Sequence, residues 1–175
     1  MRKWLTLLIT IVILISTASY AYVILTSDNS VQEIKKTPPV TETVKLLPPE
    51  RDEVLRLINE ERSKLGLKKL KSYGELDATA TAKAKDMAAE DYYDHVNPKS
   101  GKRGIQTVFE RLGTYCYKAS ENIAAVDTSE EVVEDWIESP PHRVAMLDPK
   151  HDIAGLGIAK EESYYYVVLH LCDTN

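Results

Sequence analysis

The chain has 175 residues, of which 43% are hydrophobic and 28% are charged. That composition suffices for one globular domain with a real core. The formal net charge is −5, and the basic residues are scattered apart from Lys68, Lys69 and Lys71. Because no basic stripe is present to follow a phosphate backbone, the composition argues against a nucleic-acid partner.

The N-terminus predicts export. Arg2 and Lys3 are followed by no charged residue from Trp4 to Thr26. A helix of that length is long enough to cross a bilayer, and the two basic residues favour an N-terminus that stays inside. The alternative is a cleavable signal peptide, with an apolar region from Leu5 to Ile15 and a small-x-small site at Ser19-Tyr20-Ala21. Apolar sequence resumes directly after that site, which favours an anchor, but either reading of residues 1–26 places the rest of the chain outside a membrane.

Residues 27–48 are predicted to be an extracytoplasmic linker. The segment is polar, contains Pro38 and Pro39, and shows no apolar periodicity. Polar stretches with proline act as semi-extended spacers. We therefore expect one folded domain over residues 49–175.

Four helices are expected, because apolar residues recur at helical spacing between starting and ending signals. The expected segments run from Pro49 to Gly66, from Ser72 to Ala88, from Ile105 to Gly113 and from Thr128 to Ile137. Ser72 with Glu75, and Thr128 with Glu131, form capping-box patterns. Pro140 directly follows the fourth segment and is expected to end it.

The C-terminal part predicts strands. Residues 152–159 are β-like but rich in glycine, residues 164–171 form a strong strand pattern, and the polar residues between them predict a hairpin. The last strand is apolar on both faces, so both faces should be covered. Four helices around a short antiparallel sheet predict an α+β fold, a three-layer α-β-α sandwich.

Two histidines and one glutamate are candidates for chemistry. His95 and His142 lie in proline-containing loops beside helices, whereas His151 lies in a charged loop and is expected to be solvated. His170, on the last strand, is expected to be structural. Glu121 precedes an apolar run, where a charged side chain needs a partner. One possibility is a purely structural partner, such as an arginine or backbone N–H groups. The other is that Glu121 belongs to a functional site.

Four motifs occur in order over about residues 52–171. They are His95-Val96-Asn97-Pro98, Ser120-Glu121-Asn122-Ile123-Ala124, Trp136 with Ser139-Pro140-Pro141-His142-Arg143, and Gly155-Leu156-Gly157. Together they resemble the CAP superfamily of cysteine-rich secretory, antigen five and pathogenesis-related proteins, and in particular its compact microbial branch. The resemblance implies an α-β-α sandwich, in agreement with the pattern of helices and strands.

The resemblance also implies a central cleft in which two histidines and up to two glutamates converge. In some members the histidine pair holds a divalent ion, often zinc. On the matching positions, His95 and His142 are the expected metal ligands, and Glu121, Asn97 and Arg143 are expected to line the cleft, with Glu138 as a further candidate. Glu138 stands two residues after Trp136, whereas longer members have their second glutamate three residues after it. Ala145 also departs from the family, which often has asparagine there.

The donor set itself limits the chemistry. Neutral imidazoles are good zinc ligands, and a carboxylate can be a third ligand, an outer partner or a base. A hydrolytic zinc usually needs three protein ligands and one open position, which His95, His142 and Glu121 would only just supply. Neither a His-Glu-x-x-His motif nor a Gly-x-Ser-x-Gly motif is present.

Cys116 and Cys172 are not spaced as a thiolate metal site. Outside the cytoplasm a single pair most often forms one disulfide. The family fold implies that the segments carrying these two cysteines adjoin, and hence that a Cys116–Cys172 bridge forms.

The expected function is an extracytoplasmic CAP module that binds a small molecule, lipid or peptide in the His/Glu-lined cleft, with a divalent ion and without established turnover. One alternative is a metal-dependent, peptidase-like hydrolase that acts on envelope material. Another is a structural or adhesive surface module whose site is vestigial. Fold resemblance does not separate these three, because function depends on the site rather than the fold.

Overall fold

The computed structural model describes residues 48–174. The predicted anchor or signal segment, and all of the predicted linker except Pro48, lie outside the described residues, so their boundaries stay predictions. Within residues 48–174 there is no helix whose length and apolar character would allow it to cross a membrane.

The described residues form five α-helices, one short 3-10 turn and four strands. The helices are α1 (Arg51–Lys64), α2 (Gly74–Glu90), α3 (Gly104–Leu112), α4 (Ser129–Glu138) and α5 (Pro140–Met146), with the 3-10 turn at Gly113–Tyr115. The strands are β1 (Lys71–Ser72), β2 (Lys118–Val126), β3 (Ile153–Lys160) and β4 (Tyr165–Asp173). The sheet order is β1-β3-β4-β2.

The predicted α+β sandwich is confirmed. Helices α1, α4 and α5 pack on one face of the sheet, where Ile58, Trp136 and Leu169 are fully buried. Helices α2 and α3 cover the other face. The predicted short antiparallel sheet is extended by one parallel pair, because the two-residue strand β1 pairs with β3 in parallel. Strands β2 and β3 both pair with β4 in antiparallel fashion.

The Gly-x-Gly motif of β3 lets α2 approach the sheet. A Cβ atom at Gly155 would collide with the backbone of Leu76, and one at Gly157 would collide with the backbone of Ala80. Ala80 and Ala84 of α2 are fully buried at this interface. The small residues on both sides therefore bring helix and sheet backbones into direct contact, as the alanine-rich sequence of α2 suggests.

Local capping signals were correct at one helix and wrong at another. The Thr128–Glu131 capping box is confirmed, with Glu131 N–H donating to Thr128 Oγ1 at 3.2 Å. The box predicted from Ser72 to Glu75 does not form, because Ser72 lies in β1 and Tyr73 N–H donates to Ala154 O at 2.9 Å. Pairing with β3 holds this segment extended, and α2 begins at Gly74 without a side-chain cap.

Pro140 has two roles. Helix α4 ends at Glu138, as expected, but Pro140 also begins α5, a helix that the sequence pattern did not predict. Proline suits a first helical position because its fixed φ is already helical and its missing N–H would have no partner there. The new helix carries His142.

The prediction that His151 is solvated is wrong. His151 is 1% exposed, its Nδ1 lies 3.1 Å from Ala145 O, and its carbonyl accepts from Arg62 Nη2 at 3.1 Å. The Arg62 side chain, itself fully buried, also donates to Met146 O at 2.8 Å. An arginine from α1 therefore pins this charged loop onto the domain, which its local sequence does not reveal.

Candidate functional site

Glu121 lies at the centre of the candidate site. It sits on β2 directly opposite His170 of β4, so the two side chains share the sheet face covered by α2 and α3. Its Oε2 lies 2.8 Å from His170 Nε2, and its Oε1 lies 2.7 Å from His95 Nδ1. Because an ionised carboxylate only accepts hydrogen bonds, both histidines donate to it.

The hydrogen bonds keep Glu121 ionised. Its side chain is only 4% exposed, and this burial by itself would raise the pKa. The hydrogen bonds and positive charge offered by His170 and His95 outweigh burial and lower the pKa of Glu121 to about 2. Glu121 is therefore a buried carboxylate that carries its charge throughout the neutral range.

The contact with Glu121 selects a tautomer of His95. With Nδ1 donating to the carboxylate, neutral His95 carries its lone pair on Nε2. The His95 side chain is 47% exposed. This is the arrangement in which carboxylate-paired histidines bind metals: one ring nitrogen is held by the protein and the other is left as a donor atom.

His142 approaches the same place from α5. The centroids of the His95 and His142 rings are 6.3 Å apart, and Asn122 Nδ2 donates to the carbonyl of His142 at 2.9 Å. Burial, with a further contribution from His95, lowers the pKa of His142 below its ordinary value, although Asp135 acts in the opposite direction. His142 is therefore neutral at pH 7.

The two histidines and Glu121 border a single cleft of about 380 Å³. The walls come from the segment before α3, from β2 and from α5. The lining includes His95, Arg103, Glu121, Asn122, Pro141 and His142. The structure thus brings together three predicted site residues that are far apart in the sequence.

The other three predicted residues lie outside the lining of this cleft. Asn97 is buried, donates to Asp86, and accepts from the backbone N–H of Lys99 and Ser100 at 2.9 Å each, so it shapes its own loop. Glu138 is exposed at the end of α4. Arg143 is exposed and donates to Ile137 O at 3.3 Å.

Sequence reasoning missed that His170 belongs to the site. His170 is fully buried, and its Nδ1 lies 2.8 Å from Thr79 Oγ1 on α2. A chain of contacts therefore runs from Thr79 through His170 and Glu121 to His95. A signal existed, because a histidine within a strand that is apolar on both faces needs a buried partner.

Gly104 and Lys83 were also missed. A Cβ atom at Gly104, at the start of α3, would overlap the carboxylate of Glu121, so a larger residue there would have to displace that carboxylate from its hydrogen bonds. Lys83, which is 4% exposed, donates to Asp94 O at 2.6 Å and to Tyr92 Oη at 2.9 Å. It holds the backbone directly before His95, and a buried lysine on an alanine-rich helix is a signal of such a role.

The donor set fits a divalent ion held by two imidazoles. The His95 ring and the neutral ring of His142 line one cleft, while Glu121 is occupied as the partner of His95 and His170. Among residues 48–174, no group of three or more His, Cys, Asp or Glu side chains is arranged to hold a metal. The site therefore matches a two-histidine ion site completed by water or ligand, and does not match the three-ligand geometry of a hydrolytic zinc.

The predicted disulfide is confirmed. Cys116 and Cys172 are bonded, with their Cα atoms 5.6 Å apart, and both are buried. The bond ties the residues before β2 to the end of β4. It therefore fastens together the two strands that carry Glu121 and His170.

Comparison with known proteins agrees with this architecture. The model of the CAP, or cysteine-rich secretory protein, family matches residues 55–172. The uncharacterized protein YkwD of Bacillus subtilis (strain 168) is 37% identical over 116 residues, which cover 64% of this chain and 43% of YkwD. The chain spans less than half the length of the curated relatives it matches.

Solved structures of other proteins share this fold. An outer surface protein from Borrelia burgdorferi has a TM-score of 0.64 and 21% identity, covering 71% of this chain and 92% of that chain. An extracellular protein with an SCP domain from Bacillus anthracis str. Ames has a TM-score of 0.57 and 25% identity, covering 70% of this chain and 39% of that chain. With the family match extending over more than half of its residues, the chain belongs to the CAP, or cysteine-rich secretory protein, family.

Proposed function

We propose that this chain is an extracytoplasmic CAP domain that binds a ligand in the cleft together with a divalent ion. The ion is held by His95 and His142, and zinc is the ion that these ligands suit best. The observation that carries the proposal is the pairing of these two rings across one cleft, with one of them oriented by a buried, ionised carboxylate. In such a carboxylate–histidine pair, the carboxylate fixes the orientation of the metal-binding imidazole ring and increases the basicity of that ring.

The chain's own residues prepare the site at neutral pH. Imidazole binds a metal only when neutral, and the lowered pKa of His142 keeps it so. Glu121 holds His95 in the tautomer that leaves Nε2 as the donor. A bound divalent ion would supply positive charge that attracts an anionic or carbonyl group of the ligand.

The site favours binding over hydrolysis. A metal-dependent hydrolase needs a third protein ligand or a separate base, and Glu121 is the obvious candidate for either role. Both of its oxygens already accept from histidines, and a pKa near 2 makes it a poor proton acceptor at pH 7. The proposal is therefore a binding module without turnover.

An extracytoplasmic location is supported by three observations. Residues 1–26 have the pattern of an export segment. The Cys116–Cys172 disulfide belongs to an oxidising compartment. The similar SCP-domain protein of Bacillus anthracis is described as extracellular.

Isothermal titration of the full chain in detergent with zinc tests the proposal. The wild type should bind one ion per chain, and both H95A and H142A should bind at least tenfold more weakly with unchanged thermal unfolding. Arg143→Ala is the matched control, because Arg143 neighbours His142 but lies outside the cleft lining. Binding should weaken as pH falls through about 6.5 and below, where imidazole takes up protons. Equal binding by all four proteins would show that the ion is adventitious.

A further inference from the structure

We propose that the ligand of this cleft is an extended peptide segment that pairs with the free edge of β2 at Ala119 and Glu121. This inference rests on the proposed function, since it takes the same cleft to be the binding site. It adds the chemical class of the ligand and the backbone groups that recognise it.

Among the described residues, strand β2 lies at an edge of the sheet and that edge is free. It lies at one end of the sheet order β1-β3-β4-β2, so within residues 48–174 it pairs with β4 on one side only. The N–H and C=O groups on the other side of such a strand are a template for another extended chain.

Ile123 shows which backbone groups face away from β4. Its carbonyl accepts from Trp136 Nε1 at 3.0 Å and from Tyr93 Oη at 3.0 Å. A carbonyl oxygen has two lone pairs, and here both accept from side chains outside the sheet, so none remains for β4. The backbone of Ile123 therefore points away from β4. Because hydrogen-bonding direction alternates along a strand, the backbones of Glu121 and Ala119 point away from β4 as well.

The exposure of Glu121 agrees with this direction. Its side chain is 4% exposed, yet the residue as a whole is not buried. Its accessible surface therefore lies on the backbone. Outside the pairing of β2 with β4, no residue between 48 and 174 hydrogen-bonds to the backbone of Glu121 or Ala119.

The open part of the edge is short and has walls. Tyr93 and Trp136 both donate to the carbonyl of Ile123, which is the next one that points away from β4. An added peptide therefore cannot continue to pair with β2 past Ile123. The segment before α3 and helix α5 form the two sides of the cleft, and both Ala119 and Glu121 line it. Two residues of strand span about 7 Å, so the site admits a peptide of about four residues rather than a whole sheet. The walls also restrict uncontrolled pairing between copies.

The charges at the cleft favour a peptide with a carboxylate. The negative charge of Glu121 is compensated by hydrogen bonds from His95 and His170. Arg103 lines the cleft, is exposed, and forms no ion pair with any residue between 48 and 174. A carboxylate, from an acidic side chain or from the peptide's C-terminus, would complement this arginine.

The test uses peptide probes of the form acetyl-Val-X-Val-Glu, with X varied, in free-acid and amidated forms so that either source of carboxylate is sampled. Valine favours the extended conformation. The full chain, labelled with ¹⁵N in detergent, is titrated once in the presence of zinc and once in the presence of EDTA. We expect the backbone amide signals of Ala119 and Glu121 to shift and their hydrogen exchange to slow at least tenfold at saturation.

Peptide N-methylation tests the backbone pairing directly. One peptide is methylated on its first and third amides and a second on its second and fourth. One of the two should bind at least tenfold more weakly than the parent, because only one edge of an added strand donates to β2. Equal binding by all three peptides would overturn the proposal, and so would the failure of every peptide in the set to bind.

Two variants provide a second measurement. Ala119→Pro removes an N–H that makes no bond to β4, so the strand should persist while peptide binding falls at least tenfold. If that variant does not fold, Arg103→Gln is used instead, because Arg103 is exposed. Its affinity for the peptide should also fall at least tenfold. Shifts at Ala119 and Glu121 that depend on protein concentration without peptide would identify a second copy as the occupant and overturn the proposal. Zinc calorimetry without peptide is independent of these signals, so failure of the ion site and failure of peptide binding are distinguishable.

Discussion

Replacing Glu121 by Gln removes the charge of the buried carboxylate while keeping its size. The glutamine oxygen can still accept from His95, and its amide can donate to His170 if that ring offers a lone pair. With the His170 proton on Nδ1, the variant keeps a hydrogen bond to each ring, and what it loses is the charge assistance of the two bonds of 2.7 and 2.8 Å.

The expected loss of stability follows from the pKa of Glu121. A fall from the ordinary value of 4.5 to about 2 corresponds to about 3 kcal/mol of stabilisation at neutral pH. Charge-assisted hydrogen bonds, at about 1.5–3 kcal/mol each and offset by the cost of burying the charge, give a similar size. Because glutamine retains neutral hydrogen bonds, we expect the variant to be about 2 kcal/mol less stable than the wild type at pH 7.

The sign of the pH dependence distinguishes this explanation from simple loss of packing. A carboxyl group whose folded pKa is depressed stabilises the protein above its unfolded pKa, and this stabilisation is lost as pH falls from about 4.5 towards 2. The difference between wild type and variant should therefore be largest at pH 7 and should shrink by about 2 kcal/mol at pH 3.

Urea unfolding of both proteins at pH 7, 5 and 3 measures the difference, with Glu138→Gln as the matched control. Glu138 is exposed at the end of α4, so its replacement should change stability by no more than about 0.5 kcal/mol. If wild type and Glu121→Gln lose stability in parallel between pH 5 and pH 3, the ionised, hydrogen-bonded state of Glu121 is not what stabilises the site.

Three further changes test other contacts by thermal or urea unfolding. Gly104→Ala should lower stability by about 2 kcal/mol or more, because its Cβ overlaps the buried carboxylate, whereas Gly74→Ala, with no atom within 4 Å of the new Cβ, should be close to neutral. His151→Ala should lower stability by about 2–3 kcal/mol, since it empties a buried site and removes two polar contacts; an unchanged unfolding midpoint would contradict the burial. Replacing Cys116 and Cys172 together by Ala opens a loop with a sequence separation of 56 and should lower stability by up to about 4 kcal/mol. Reducing the disulfide of the wild type is the internal check, because the double variant should lose no more stability than the reduced wild type.

Much of the fold follows from local sequence, because its signals act over a few residues. The Thr128–Glu131 box is the start of α4, Gly113 follows the last residue of α3, and the apolar run before Cys172 is a central strand. Apolar residues on both faces of that strand are sufficient to predict layers above and below it. The α+β class was therefore predictable without any knowledge of the tertiary contacts.

Less of the candidate site than of the fold could be predicted from local sequence. The motifs that contain His95, Glu121 and His142 nominate these residues, but residue type and order do not say what each one touches. The contact between Glu121 and His170 depends on the register of β2 against β4, which joins residues 49 positions apart. Register is set by which face of each strand is buried and by the turns of the whole sheet, so no local pattern contains it.

The same reason explains the errors. Ser72 has the local pattern of a helix cap, but it pairs with β3, and the backbone N–H groups of Lys71 and Tyr73 on either side of it donate to Asp152 O and Ala154 O. His151 has the local sequence of a solvated loop, but Arg62 reaches it from 89 residues away. The sequence by itself determined the elements, the fold class and the residues worth testing. Only the tertiary structure decided which carboxylate oxygen meets which histidine, which side chains stay outside the cleft, and that the edge of β2 opens into it, because burial and pairing across the sheet are properties of the whole domain.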